Sequence, residues 1–600
     1  MKKILMISLL AAVVQLEANA LRVSNNSIIY EVDLSAHTAE VIAVDEGFSG
    51  KLVIPNPLQW GNDDYSVLGI ADNACKNRHG ITSVIVSEGV TYIGNSVFEG
   101  CKKLTSATLP ETLTSIGKKL FMDCKNLTSV NIPKNVKRME YATFMGCESL
   151  TDVVLSEGLE FIGTFAFQGC LKLESLNFPK SINEIAPSAV SNTGLTAVNI
   201  PGSGKTTIGK EAFRLCQDLK TIEIGDGVVS IGEEAFWHCW RTEAVVIGNH
   251  VKKIGARAFV YCDLLEKVTL GEGLDTIGVN AFDGCYSLKE VHVSSLKAWC
   301  SITFTDVMAL DIAIDNLGGN PLSIAKHLFV NDEEVKNDLV IPEGVTKLAE
   351  GLFRGWEELT SVSIPGSVKE IGHYAFDKCK NLSSVSLQEG TETIGIHAFL
   401  ECGQLKEIVI PNSVTTLGNG AFSHCTEMTY AKVGDGVTAL EPTVFCVCSS
   451  LASVTLPEGL TMIGSSAFAG CSFSTIDIPA QVTKIDINAF SGCKKLSNIY
   501  VHSSVPAEIL QYTFWENTYY RATLHVPAGS KEAYTMDANW KRFTKIVDDV
   551  EPSAILSPMT CEEPLVIYAL KGNQQPHLMP GINIIRNNDG ISYRKIWKSR

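Results

Sequence analysis

"IPGSGKTTIG", residues 200–209, decides the fold. Read alone, Gly202 to Thr207 is the heart of a phosphate-binding loop, and the chain would be a nucleotide-binding α/β protein. Read in register, it is one turn of a repeat. The stretch at 364–372, "IPGSVKEIG", has the same outline with one residue fewer. Ile200-Pro201 then ends a strand, and Ile208-Gly209 is the next inward pair. A phosphate loop also needs Gly at position 199 and a long helix after the Lys. Position 199 is Asn, and the segment after Lys210 is only the short "EAFRLC". Lys205 is therefore assigned no nucleotide, and the extra residue is expected in a turn.

On either side of this stretch the same outline recurs every 23 residues. "SVFEGC" ends at Cys101, "KLFMDC" at Cys124, "ATFMGC" at Cys147 and "FAFQGC" at Cys170. After one divergent unit, the series resumes at Cys216, Cys239, Cys262 and Cys285. A second series runs from "YAFDKC" at Cys379 to "NAFSGC" at Cys493, and only its last step slips by one residue. The shared template is C-x-x-L-x-x-V-x-I-P-x-x-V-x-x-I-G-x-x-A-F-x-x-C. Its V-x-I element alternates as a half-buried strand does. The Pro after it lacks an N–H and stops the strand. One unit cannot bury its own apolar side chains, but stacked units bury them against each other. The sequence therefore predicts a repeat solenoid of 23-residue units with short parallel strands.

The flanks break the period. "MKKILMISLLAAVVQLEANA", residues 1–20, has the basic start, short apolar run and small-x-small ending of a secretory signal peptide. Residues 21–69 are expected to form a β-rich cap. The first repeat block covers 70–293, an insert 294–338, and the second block 339–501. In the insert "SLKAWCSI" reads as a short helix, and "AKHLFVNDEEV" as a strand turning at Asn331-Asp332. Residues 502–549 are expected to cap the last coil, and 550–600 to form a linker and a small β tail.

Composition excludes several functions. Lys plus Arg is 50 against 66 Asp plus Glu, a formal net charge of −16. Such a chain is repelled by nucleic acid and anionic lipid. No apolar run after the leader reaches the length of a membrane span. There is no G-x-S-x-G, H-E-x-x-H or calcium-loop motif, so no catalytic, cofactor or metal residues are assigned. His238, His292, His373, His397 and His424 fall at variable repeat positions and are expected to be solvated. Of the 18 Cys, fourteen occupy one template slot; they are expected to be free, buried thiols rather than a disulfide framework. Cys446-Val-Cys448 suits neither a strain-free disulfide nor a zinc site.

"FWHCWRTEAVVI" departs from the template. Thr242 replaces the usual Leu, while Trp237, His238, Trp240 and Arg241 crowd one turn and Tyr261 occupies the His238 slot one unit on. Aromatic side chains with Arg are what binding hot spots use. These five are the candidate protein-binding patch.

The I-G-x-x-A-F-x-x-C-x-x-L-x-x-V-x-I-P unit resembles the BspA-like, or Treponema-type, leucine-rich repeats over about residues 65–505. The insert is similar to one found in family members from Gram-negative anaerobes. The tail "IYALKGNQ…PGINIIRNNDG…RK" resembles C-terminal sorting domains that serve export across the outer membrane. The resemblance implies a surface or secreted non-enzymatic protein that binds extracellular proteins: host matrix or serum proteins, or other bacterial surface proteins. Two alternatives stay open: a glycan-binding or enzymatic accessory using the 294–338 insert, and a passive envelope spacer.

Overall fold

The computed structural model describes residues 20–305, 319–510, 512–550, 566–568, 581–587 and 590–596. Residues 1–549 form one compact unit and 550–600 another. The expected signal peptide, Cys561 and the Pro-bearing stretch 551–564 lie outside the described residues, apart from Ala20.

The first unit is the expected solenoid. The V-x-I segments form one parallel ladder; Ser129–Ile132, for example, lies between Ser106–Thr108 and Asp152–Leu155. The Ile before each Gly ends a two-residue strand in a second ladder, as Arg138–Met139 pairs with Phe161–Ile162. The third side is the turn that carries Ala-Phe. There the coils are joined by backbone bonds: the Phe121 N–H donates to the Thr143 carbonyl at 2.8 Å, and Phe144 to Ala166 at 2.7 Å. Thus each coil satisfies its backbone polar groups through its neighbours.

The core is one apolar column. Phe98, Phe121, Phe144 and Phe167 stack with ring centroids 5.4–5.5 Å apart. Phe213, Phe236, Phe259 and Phe282 repeat this at 5.0–5.3 Å. In the divergent unit Val190 fills the Phe slot, and Phe178 supplies a ring from the strand position, meeting Phe213 edge-on at 5.8 Å.

The Cys slot lies beside this column. Each thiol donates to the Phe-slot carbonyl of the preceding coil: Cys124 to Phe98 at 3.0 Å, Cys147 to Phe121 at 3.1 Å, Cys402 to Phe376 at 3.2 Å, and, where the slot holds another residue, Cys101 to Cys75 and Cys216 to Val190. The slot thus wants a small apolar group with one donor, which is what Cys is. All Cys among the described residues are free. Burial pushes the Cys101 thiol up to about 12 and those of Cys124 and Cys147 well above their ordinary value. Cys446 is only half-buried. In an alkylation time course read by mass spectrometry without denaturant, Cys446 is expected to react first, and Cys101, Cys124 and Cys147 not at all. Fast labelling of those three would contradict the thiol ladder.

One expectation is corrected at residues 200–209. Ala197–Ile208 is a single continuous strand, not a strand and a turn. It pairs in parallel with Thr221–Ile231, and register shifts between Ile200 and Thr207 absorb the extra residue. The reason is its neighbour, where Gly225 and Gly227 stand in "IGDGVV" without a Pro and can pair throughout. A Cβ on Gly202 would come within 2.4 Å of the Gly227 carbonyl carbon, and one on Gly227 within 2.2 Å of that of Gly202. The glycines therefore serve close backbone approach, not a phosphate. The hydroxyl of buried Thr206 accepts from the Ser203 N–H at 2.8 Å and donates to the Ile182 carbonyl. These two long strands merge both ladders into one 13-stranded sheet.

In every coil of both blocks the residue two after the Phe slot is left-handed, with φ between 54° and 80°. Gly occupies it at 100, 146, 169, 284, 355, 470 and 492, and Asn or Asp, which tolerate it, at 77, 123 and 192. The rest form two uninterrupted runs: Leu215, His238 and Tyr261, then Lys378, Glu401, His424 and Val447. Val447 is β-branched, the costliest type in this conformation, and is 37% exposed, so little burial is lost on removing it. Val447→Gly is expected to raise stability by about 1 kcal/mol; an unchanged or lowered melting temperature would count against stored strain there.

The flanks cover the ends. The hairpin Ala20–Asn25 with Ile28–Asp33 continues to Thr38–Val44, which pairs with Asp63–Ile70. Gly50–Ile54 already belongs to the first ladder, beside Ile81–Val86, so coil geometry begins inside the segment read as a cap. In the insert, Leu296–Ser301 is the expected helix, capped by Ser295. Thr303–Phe304 and His327–Val330 extend the two ladders, and Asn331-Asp332 turns the chain back to Glu333–Glu334. The insert thus adds a coil to block 1. It also covers the start of block 2: the Asn320 amide donates to the carbonyls of Gly351 and Leu352 at 2.8 and 3.0 Å, and Lys326 to Gly355 at 2.8 Å. These side chains replace the N–H groups a preceding coil would supply.

In block 2 a Phe column runs from Phe353 to Phe514 at 5.1–5.7 Å. Fully buried Trp540, its indole N–H bonded to the Ala507 carbonyl at 2.8 Å, closes that column. In the second unit, Val566–Tyr568, Gly581–Asn587 and Gly590–Ile596 form an antiparallel three-stranded sheet. No helix among the described residues is long and apolar enough to cross a membrane.

Candidate functional site

The sequence places the patch on the corner between the Phe turn and the Cys slot. Phe236 and Cys239 point inward at 0% exposure; Trp237 and His238 between them are half-buried, with the His238 Nδ1 covered, and Trp240 after them is exposed. Trp237 stacks on His238 at 4.9 Å, and Tyr261 from the next coil meets both edge-on, at 6.1 and 5.8 Å. The Arg214 guanidinium lies 4.5 Å from the Trp237 ring centre and pairs with Glu211 at 3.1 Å. Trp240 and Arg241 form a second pair, 5.0 Å apart, with Arg241 bound to Asp218 at 2.8 Å. Thr242, in the Leu slot, is fully buried and donates to the Leu219 carbonyl at 3.0 Å. The degenerate position is thereby satisfied, and the crowding above it is not a packing defect.

Two further residues belong to this corner. Leu264 is 44% and Tyr286 81% exposed, beside Trp240 at 36% and Tyr261 at 40%. Sequence reading missed them because each is unremarkable in its own unit. The available signal was the column: Trp240, Asp263 and Tyr286 each directly follow the Cys of consecutive coils. His238 and Tyr261 moreover hold left-handed positions (φ 61° and 58°) where Gly is commonest. Large side chains are kept there against a backbone cost of about 1–2 kcal/mol each.

His292 corrects the expectation of solvation. It is 6% exposed and stacks on Phe329 at 4.4 Å. Its ring nitrogens lie 2.9 Å from Asp332 and 2.9 Å from Glu290. The insert hairpin covers it, 40 residues away in sequence. A groove of about 700 Å³ beside it carries Glu223, Asp226 and Asp332. Asp226 is taken up by the Asn249 N–H at 2.6 Å and Asp332 by His292. Another cavity, of about 420 Å³, lies at the insert and carries Lys297, Lys347 and Glu350. A glycosidase requires two facing carboxylates; Glu350 is the one carboxylate lining this cavity among the described residues. Nor do those residues include a group of three His, Cys, Asp or Glu placed to hold a metal.

Solved structures similar to this chain are themselves leucine-rich repeat proteins. One from Bacteroides ovatus is 22% identical over 84% of this chain and 99% of its own, with a TM-score of 0.38. A leucine rich cell surface protein from Faecalibacterium prausnitzii is 23% identical over 80% and 94%, with a TM-score of 0.26. A leucine rich repeat protein from T. pallidum is 21% identical over 41% and 91%, with a TM-score of 0.28. Among curated protein sequences none matches significantly. The family model for the BspA type leucine rich repeat region matches residues 69–196, 183–310, 322–452 and 419–533, well over half of the sequence. With its period, its Phe column and its two ladders, the chain belongs to the BspA type leucine-rich repeat family.

Proposed function

We propose that this protein is exported and binds another protein at the cell surface, as an adhesin for host or bacterial surface proteins, through the corner at Trp237, His238, Trp240, Arg241 and Tyr261. The observation that carries this reading is the group of exposed large apolar side chains at this corner, Trp240, Tyr261, Leu264 and Tyr286, with Tyr261 held at a left-handed position. Scattered exposed apolar residues need no explanation, but a clustered patch does, and aromatic side chains beside Arg are the usual anchors of protein interfaces. The signal-like start of the sequence supports the location.

The test uses the full-length protein immobilised against a panel of purified matrix and serum proteins and solubilised bacterial surface proteins. A saturable partner is expected, with binding by Trp237→Ala/Tyr261→Ala at least ~30-fold weaker, the loss of a hot spot of about 2 kcal/mol. Saturable binding unaffected by that double variant would place the site elsewhere, and glycan capture without any protein partner would sink the adhesin reading. The tail at 550–600 is proposed as a sorting module; its deletion is expected to abolish surface labelling while leaving the melting temperature of the repeats unchanged.

A further inference from the structure

We infer that block 2 carries an acid-sensitive joint at His373 and His397, which ties the coils of Phe376, Phe399 and Phe422 together at neutral pH and loosens when the imidazoles take up protons. The joint lies on the turn before the Phe slot and does not depend on what the corner at Trp237 binds. His373 stands two residues after the inward Ile371, and its Nδ1 accepts the Ile396 N–H of the next coil at 2.7 Å. A backbone N–H can only donate, so this Nδ1 is bare and the hydrogen of the neutral ring is on Nε2. The Ile396 carbonyl in turn accepts the Tyr374 N–H at 2.9 Å, so both backbone polar groups of Ile396 are held by the coil of Phe376. Block 1 makes the same side-chain bond in the same slot with acceptors that keep their role at mildly acid pH. There Asp72 accepts the Asn95 N–H at 2.6 Å, and Asn95 accepts the Lys118 N–H at 2.9 Å. The Asn95 bonds also hold the Asp72 carboxyl below its ordinary pKa, so it stays ionised.

His397 is the second half of the joint. It holds a left-handed position in the next coil, with φ 53°. Its ring lies over Gly420, where a Cβ would come within 2.3 Å of the imidazole Cδ2, and its centre is 5.2 Å from that of Tyr374. Its Nδ1 is buried without a hydrogen-bond partner. Burial, and then the nearby His373 and His424, hold its pKa below the ordinary imidazole value. Both rings therefore favour the stacked coils when neutral. A proton on His373 Nδ1 sets one N–H against another and breaks the bond to Ile396, while a charge on His397 is left half-desolvated beside other imidazoles. The sign follows from the lowered pKa: the contribution of His397 is complete above the unfolded value near 6.5 and is lost as pH falls through the lower folded value. The other titratable groups at the joint are Tyr374, His424, whose Nδ1 lies 2.9 Å from the Ser423 hydroxyl, and Glu350, in the slot of His373 one coil earlier. Asp377, just past Phe376, titrates near 6 with the opposite sign.

The test reads the joint in the full-length protein by hydrogen exchange with mass spectrometry between about pH 7.5 and about pH 5, each rate divided by its intrinsic value. Peptides spanning Ile396 are compared with those spanning Lys118, where Asn95 is the acceptor. Protection at Ile396 relative to Lys118 is expected to fall at least ~10-fold over this range, the linkage of one imidazole kept neutral in the closed form. His373→Asn places in the slot the acceptor used at Asn95, and His397→Asn suits the left-handed position while removing the second titration. Each should reduce the pH dependence, and the double variant should abolish it. Asp377 is common to all four proteins, so its opposite titration cancels in the comparison. A protection ratio that stays constant with pH in the wild type, or a fall that the double variant retains, would overturn the inference. Should the double variant fail to fold, imidazole NMR titration of the wild type decides, with resonances assigned from the single variants. Both rings titrating below the ordinary value of about 6.5 would support the joint, and both at or above it would sink it.

Discussion

Phe376→Ala is expected to lower the free energy of unfolding by about 3–5 kcal/mol, the range for a fully buried ring whose neighbours cannot collapse into the space. Phe376 has 0% exposure and is clamped between Phe353 at 5.3 Å and Phe399 at 5.1 Å. Its backbone is fixed too, since its N–H donates to the Ala398 carbonyl at 2.8 Å and its carbonyl accepts the Cys402 thiol at 3.2 Å. Neither flanking ring can tilt into the cavity without losing its own stack. Each coil touches only its neighbours, so the damage should stay local. Hydrogen exchange is expected to show protection lost in the coils of Phe353, Phe376 and Phe399, with coils around Phe121 unchanged. A loss below about 1.5 kcal/mol by urea titration would mean that the column tolerates a gap, contrary to its packing.

A comparable effect is expected from the ion pair at the start of block 2. Arg354 Nε and Asp377 Oδ2 lie 2.6 Å apart at 5% and 1% residue exposure. Removing one partner of a buried pair strands the other, so Arg354→Met should cost about 3–5 kcal/mol near pH 8, whereas Arg354→Met with Asp377→Leu should recover most of it. The pair also sets a pH dependence. Burial pushes the Asp377 carboxyl up to about 6, outweighing the attraction of Arg354; the second oxygen, Oδ1, is buried without a hydrogen-bond partner. A carboxyl whose folded pKa is raised favours the fold when protonated. Its contribution is complete below the unfolded value near 4 and is lost as pH rises through about 6. Unfolding free energy is therefore expected to fall between pH 4 and pH 7 by a term of up to about 3 kcal/mol that Asp377→Asn abolishes. If wild type and Asp377→Asn show the same pH profile, Asp377 titrates normally and the burial argument is wrong.

The coil was legible in the residues of one repeat. Val130, Ile132, Phe144 and Cys147 recur as the same size and polarity 23 residues apart, and a slot that admits one shape forces the same backbone each time. Stacking, the V-x-I ladder, the free thiols and the family came from that repetition; the second ladder, at the Ile before each Gly, came from the fold. The exposure of Trp240 and Tyr261 fits the variable slots they occupy, whereas Trp237 is half-buried.

Relations between coils were not legible in this way and emerged from the folded chain. Whether "IPGSGKTTIG" turns or pairs depends on Gly225 and Gly227 of its neighbour as well as on its own Gly202. His292 is buried by Asp332 and Phe329, which reach it through the insert. The row of Trp240, Asp263 and Tyr286 exists because three units stack in register, and no single unit contains it. In a solenoid the backbone of a coil is a local property, written in one repeat. Partners, burial of variable side chains and surface rows are set by register across residues 23 or more apart, and a single unit carries no record of who its neighbours will be.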